Sequence, residues 1–193
     1  MIAYELDNKL YVNVTNRCTN RCGFCIRERE EGIGQDLWLE KEPNASEIIE
    51  AVGDGGSYSE VVFCGYGEPL LRLPEVIETA KHLKRLGKRV RVNTNGQADL
   101  IWKRKIAPEL EGAVDAVSIS LNAASAGHYQ RLCQSAFGEE AYEGILAFAK
   151  DCTAHIPEVT LTVVDFIAQE EIDDCAAIAE GLGTRFRVRK YND

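Results

Sequence analysis

Histidine is scarce in this chain of 193 residues, with three in all. His82, His128 and His155 are scattered without the paired spacing of an imidazole-built metal site, so they read as structural or exposed side chains. No uninterrupted apolar run approaches the roughly 18 residues that span a bilayer. The opening MIAYELDNKLYV lacks the charged-then-apolar pattern of a secretory signal. The expected location is the cytoplasm, with no membrane partner. Basic charge is also in deficit, since 22 Lys and Arg against 31 Asp and Glu give a net charge of −9. That balance argues against nucleic acid or an anionic membrane as partner, because both select a basic surface. It leaves room for a basic pocket inside an acidic shell. No low-complexity linker interrupts the chain, and residues 1–193 read as one domain.

What the chain does have is seven cysteines, an odd number that suits a disulfide scaffold poorly at this length. Cys152 and Cys175 fall on apparent helices and read as small buried apolar residues. Cys64 and Cys133 stand alone. Cys18, Cys22 and Cys25, in C-T-N-R-C-G-F-C, are different, because three soft ligands this close point to a metal. Three thiols cannot close an ordinary four-coordinate site. Either a fourth ligand arrives from far along the chain, or the site is left open.

The remaining sequence alternates strand and helix. IAYEL and KLYVNV form a hairpin around Asp7-Asn8, a pair that tolerates left-handed geometry. Asn44 and Glu47 form a capping box opening a helix through IIEAV. EVVFC is strand-like, and the helix after it has Pro74 in its first turn and Gly87 at its end. RVRVN is a strand, ADLIWKRKIA a helix stopping near Pro108, AVDAVSISLN a strand and EAYEGILAFAK a helix. VTLTVVDF, EEIDDCAAIAEGLG and RFRVRK complete the series as strand, helix and strand. Such a rhythm implies a parallel sheet with crossover helices. Six strands in series fall short of an eight-unit barrel, which takes about 250 residues. The expected fold is therefore α/β, an open partial (β/α)6 TIM-like barrel preceded by a short N-terminal hairpin, with a doubly wound sheet as the alternative.

Four strands carry one polar face. Asn13 and Thr15 alternate with Val12 and Val14; Arg91, Asn93 and Asn95 with Val90 and Val92; Ser118, Ser120 and Asn122 with Val117, Ile119 and Leu121. Arg185, Arg187 and Arg189 alternate with Phe186 and Val188. Strands buried on both faces usually read as continuous apolar runs, so the polar faces should line a wet or liganded interior. For the arginines, an exposed edge strand is the other reading.

Polar motifs follow the C-terminal ends of strands, where ligands bind in barrels and open α/β sheets. Gly65-Tyr66-Gly67-Glu68-Pro69 is either a turn or a place where backbone and carboxylate approach an ammonium group. Asn93-Thr94-Asn95-Gly96 and Ser120-Leu121-Asn122 occupy the next two ends.

The run C18-x-x-x-C22-x-F24-C25 resembles the signature of the radical SAM superfamily. The resemblance spans about Tyr11 to Arg189. It implies a [4Fe–4S] cluster on Cys18, Cys22 and Cys25, with Phe24 beside it and S-adenosylmethionine on the fourth iron. Cofactor contacts would then come from Gly65, Gly67 and Glu68, as in the family's glycine-glycine-glutamate motif, with Tyr66 standing where the family has a glycine. Ser120 and Asn122 resemble a later-strand S-L-D segment, and Asn93 stands where another polar contact is found. VTLTVVDFIAQEE shows no match to the family's G-x-I-x-G-x-x-E segment. The implied activity is reductive cleavage of S-adenosylmethionine to a 5′-deoxyadenosyl radical that abstracts hydrogen from a small-molecule or protein substrate. An external donor, flavodoxin or ferredoxin, is implied as well. TNRCTNRCGFCIRE and VVFCGYGEP look most like the TatD-associated radical SAM proteins. The alternatives are a glycyl-radical activating enzyme, a deazaguanine-synthase-like enzyme, and a non-catalytic iron–sulfur or zinc module.

Overall fold

A computed structural model describes residues 1–28 and 35–191. Ala3–Leu6 (β1) and Lys9–Val12 (β2) pair antiparallel. Asp7 and Asn8 make the tight turn between them in left-handed conformations, φ 50° and 56°, the geometry whose twist matches a hairpin. Five further strands follow: Glu60–Phe63 (β3), Arg89–Thr94 (β4), Ala116–Ser120 (β5), Glu158–Val164 (β6) and Arg185–Arg189 (β7). All seven form one sheet in sequence order, and β2 through β7 run parallel.

Sequential order combined with right-handed crossovers puts the crossover helices on one face of the sheet. Those helices include Ala45–Val52 (α1), Leu73–Arg85 (α2), Glu140–His155 (α6) and Gln169–Leu182 (α7). Val90, Val92, Val117, Ile119, Leu161 and Val163 point to that side and share one core with Ile48, Val76, Phe148 and Ile172. The apolar stripes of the strands thus meet the helices. The polar stripes are left on the concave face, where Arg91, Ser118, Thr160 and Arg187 line a common cavity. β1 and β7 are its open edges. This is the open partial barrel with an N-terminal hairpin.

The capping box opening α1 is present, with Asn44 accepting from the Glu47 N–H and Glu47 accepting from the Asn44 N–H. One helix differs from expectation. ADLIWKRKIA is not continuous; Ala98–Trp102 (α3) stops at Lys103, which takes the left-handed conformation, φ 53°. Ala107–Leu110 (α4) then starts anew, with Pro108 inside its first turn and not at its end. The break is held by one long-range and one local partner. The Trp102 indole N–H donates to the Leu70 carbonyl, and the Ile106 N–H to the Asp99 carboxylate. A further helix, Ala126–Cys133 (α5), fills the stretch after the fourth parallel strand that carried no periodic signal. Among the described residues, no helix is long and apolar enough to cross a membrane.

Candidate active site

The cysteine loop leaves the C-terminal end of β2 and is tied down from three sides. Backbone bonds join it to α5 and the turn beyond, from Arg21 N–H to Cys133 O (2.9 Å) and from Ala136 N–H to Thr19 O (2.8 Å). Behind it lies a buried amide–hydroxyl network. Gln97 donates to Asn20 (2.8 Å) and to the Tyr129 hydroxyl (2.9 Å), and accepts from Thr19 (2.8 Å) and Ser135 (3.0 Å). Asn95 donates to the Thr19 hydroxyl at 2.8 Å and lies 3.8 Å from the Cys18 sulfur. A network with every member partnered rigidifies what it holds.

The G-Y-G-E-P turn docks onto the same loop. A Cβ on Gly67 would lie 2.3 Å from the Thr15 carbonyl oxygen and 2.4 Å from that of Arg17. One on Gly65 would lie 2.1 Å from Asn13 Oδ1. Both glycines are therefore required by close approach. The Glu68 N–H bonds to Arg17 O at 2.8 Å. Its carboxylate points inward, accepting from the Thr94 hydroxyl (2.8 Å), the Asn95 N–H (2.6 Å) and the Leu70 N–H (3.0 Å). Glu68 thereby caps the short helical turn Pro69–Arg72 and joins the end of β3 to the end of β4.

Burial dominates the electrostatics. It pushes the Cys18 thiol up to about 12, helped by the charge of Glu68 and opposed by the Asn20 N–H. A hydrogen bond with Cys133, then burial, raises Cys22, while the same bond lowers Cys133. Burial also lifts Glu68 to about 7. Thiols held in their protonated form must shed protons to become metal ligands, so loading would release acid.

Other sequence candidates gather around this loop. Phe24 packs on Phe166 beyond β6, ring centroids 4.7 Å apart. Asn93 bonds to the Cys64 thiol. Asn122 (φ 60°) turns its amide onto the Cys133 sulfur, 3.6 Å away. Asn93 and Asn122 each keep a buried carbonyl oxygen without a partner, as groups awaiting a polar ligand do. Ser120 is half-buried at the end of β5. Cys133, Gln97, Asn20 and Tyr129 were not legible as site residues; their common feature is contact across long sequence separation.

The donor set fits one of the metal possibilities. The seven cysteines are free thiols, and Cys18 feels the charges of both Cys22 and Cys25. Among the described residues, no three His, Cys, Asp or Glu side chains converge on a single ion. A polynuclear iron–sulfur cluster is gripped by one thiolate per iron, and Cys18, Cys22 and Cys25 supply three.

Comparison with known proteins agrees. The family model described as "Radical SAM superfamily" matches residues 12–179. A "Probable GTP 3',8-cyclase" of Thermococcus kodakarensis is 25% identical over 177 residues, covering 91% of this chain and 54% of that protein. A tungsten-containing aldehyde ferredoxin oxidoreductase cofactor-modifying protein of Pyrococcus furiosus is 25% identical, covering 80% and 43%. The chain thus spans about half the length of the curated relatives it matches. Among solved structures, TYW1 with a lysine-pyruvate adduct superposes with TM-score 0.68 at 18% identity, covering 94% of this chain and 64% of that one. Streptococcus suis SuiB bound to S-adenosylmethionine superposes at 0.66, also at 18% identity, covering 94% and 38%. At that identity the likeness speaks for the fold.

Proposed function

Because the chain belongs to the radical SAM superfamily, we propose that it is an enzyme in which Cys18, Cys22 and Cys25 hold a [4Fe–4S] cluster open to S-adenosylmethionine. The observation that carries this reading is the cysteine loop itself, with three free thiols on a rigid base at the C-terminal end of a parallel sheet. When bound, the cluster supplies the electron, and S-adenosylmethionine the carbon radical, for hydrogen abstraction from a substrate.

The chain's own residues then position and shield. Asn95 and the Asn20 N–H point at the Cys18 sulfur, and such donors tune a cluster's potential. Gly65 and Gly67 let the turn approach the loop, leaving backbone groups for the cofactor's polar end. Asn93 and Asn122 offer their unpartnered oxygens to cofactor hydroxyl or ammonium groups. Phe24, against Phe166, shields the mouth. Glu68, with its carboxylate engaged internally, holds the frame for these contacts. An external carrier of the flavodoxin or ferredoxin class delivers the electron, and residues 1–193 act as one domain in the reducing cytoplasm, where free thiols persist. On TNRCTNRCGFCIRE and VVFCGYGEP we place the chain with the TatD-associated radical SAM proteins.

Anaerobic reconstitution tests this. The chain should take up about four irons, with broad visible absorption, and release methionine from S-adenosylmethionine when reduced. Cys22→Ala should lose the cluster, and Cys152→Ala, which alters a helix-core thiol, should keep it. A normal cluster in Cys22→Ala would overturn the assignment.

A further inference from the structure

We propose that the concave face of the sheet binds an oxyanion of a small-molecule substrate, a phosphate or carboxylate, between Arg91 of β4 and Arg187 of β7. That this anion belongs to the substrate rests on the radical SAM reading; the binding site itself does not.

Strand alternation brings the two arginines to one face at different levels. Arg91 lies beside Ala116 and Ala116 beside Glu158, while Arg187 lies beside Thr162, further along the same strand. Between them lies a cavity of about 260 Å³, lined by Arg91, Ser118, Thr160, Arg185 and Arg187, and by Glu158, whose carboxylate is engaged by Arg89 and Arg185. Two serine and threonine hydroxyls thus join the guanidinium groups, which suits an anion that accepts from several donors at once.

The cations there are undersupplied with carboxylates. Glu60 is shared among Lys9 (3.3 Å), Arg89 (3.1 Å) and Arg91 (3.3 Å), and Glu158 between Arg89 (2.9 Å) and Arg185 (2.7 Å). Arg91 is only 13% exposed, yet its Nε is buried without a partner. Arg187 reaches the Ser118 hydroxyl at 3.4 Å and, among the described residues, meets no carboxylate. Arg189 continues the same row two residues on, likewise without one. The buried Nε of Arg91 is the costly group, while Arg187 and Arg189 are exposed and bring free guanidinium donors that fit an oxyanion.

Depth gives the ligand a shape. Ser118 lies two residues below Ser120, about 7 Å along the strand at 3.3 Å per residue. An anion held at that level would leave the rest of a small molecule reaching up toward the cysteine loop. A volume of about 260 Å³ suits the charged end of a small molecule.

Calorimetric titration of the reconstituted chain at fixed ionic strength would test this, with inorganic pyrophosphate and succinate as probes. At least one should bind, and Arg187→Met should weaken it tenfold or more, with Arg187→Lys intermediate. Arg104→Met, on the outer surface beside Glu109, should match the unaltered chain. Stronger pyrophosphate binding assigns a phosphate; stronger succinate binding assigns a carboxylate. Arg187 is on an exposed edge strand, and unchanged urea midpoints will show that Arg187→Met still folds. No binding of either probe, or equal binding by Arg187→Met, overturns the proposal. Cleavage of S-adenosylmethionine by the unaltered chain is measured in parallel. Cleavage without anion binding removes this site and keeps the radical SAM reading, while binding without cleavage does the reverse.

Discussion

Glu68 shows how one side chain can belong to both the fold and the site. Burial raises its carboxyl from 4.5 to about 7 although three donors stabilise its charged form. A carboxyl raised on folding holds its proton more tightly in the native state. Its contribution is therefore fully present below the unfolded value and lost as pH rises through about 7. At 1.36 kcal/mol per unit, the loss is about 3 kcal/mol. Urea unfolding of the unloaded chain against Glu68→Ala should show the difference in stability shrinking from pH 4.5 to pH 8; a constant difference would refute it. Gly67 is the second case. Gly67→Ala must push apart two backbone carbonyls that cannot swing aside. We expect about 1–3 kcal/mol of lost stability and a lower iron content after reconstitution, both measurable on the same preparation.

At the level of elements, what could be read from sequence was what is decided locally. The capping box of α1, the Asp7-Asn8 hairpin and the glycine after α2 are settled by residues within a turn of each other. The polar alternation of RVRVN and AVSIS was legible for the same reason, since side-chain period along a strand is fixed by backbone geometry. The break between α3 and α4 was not, because Trp102 finds its partner Leu70 only once the chain has folded. Lys103 carries the cost. A side chain at φ 53° is strained by about 1 kcal/mol or more relative to glycine. Lys103→Gly should therefore raise the thermal midpoint, with a gain of about 0.5–1 kcal/mol by denaturant titration; a loss would mean that Lys103 has an unrecognised role. Cys133 was legible only as an isolated thiol. Its bond to Cys22 joins residues separated by most of the first two-thirds of the chain.

On the scale of the whole molecule, the chain separates its charges. It carries a net charge of −9, yet the inner face of β4 and β7 gathers arginines faster than acids. The last strand carries that asymmetry to the margin of the sheet, since among the described residues β7 pairs with β6 on one side only. An unpaired strand edge is a template on which a second copy could lay its own β7. Here such pairing would set one row of arginines against another, and like charges facing across strands oppose it. The row thus acts as a fence against sheet-to-sheet stacking. Replacing Arg185, Arg187 and Arg189 together with threonine, a good strand former, should let the protein self-associate as concentration rises in sedimentation runs, while the unaltered chain does not. The same residues that invite an anion inward would then be what keeps neighbouring molecules apart.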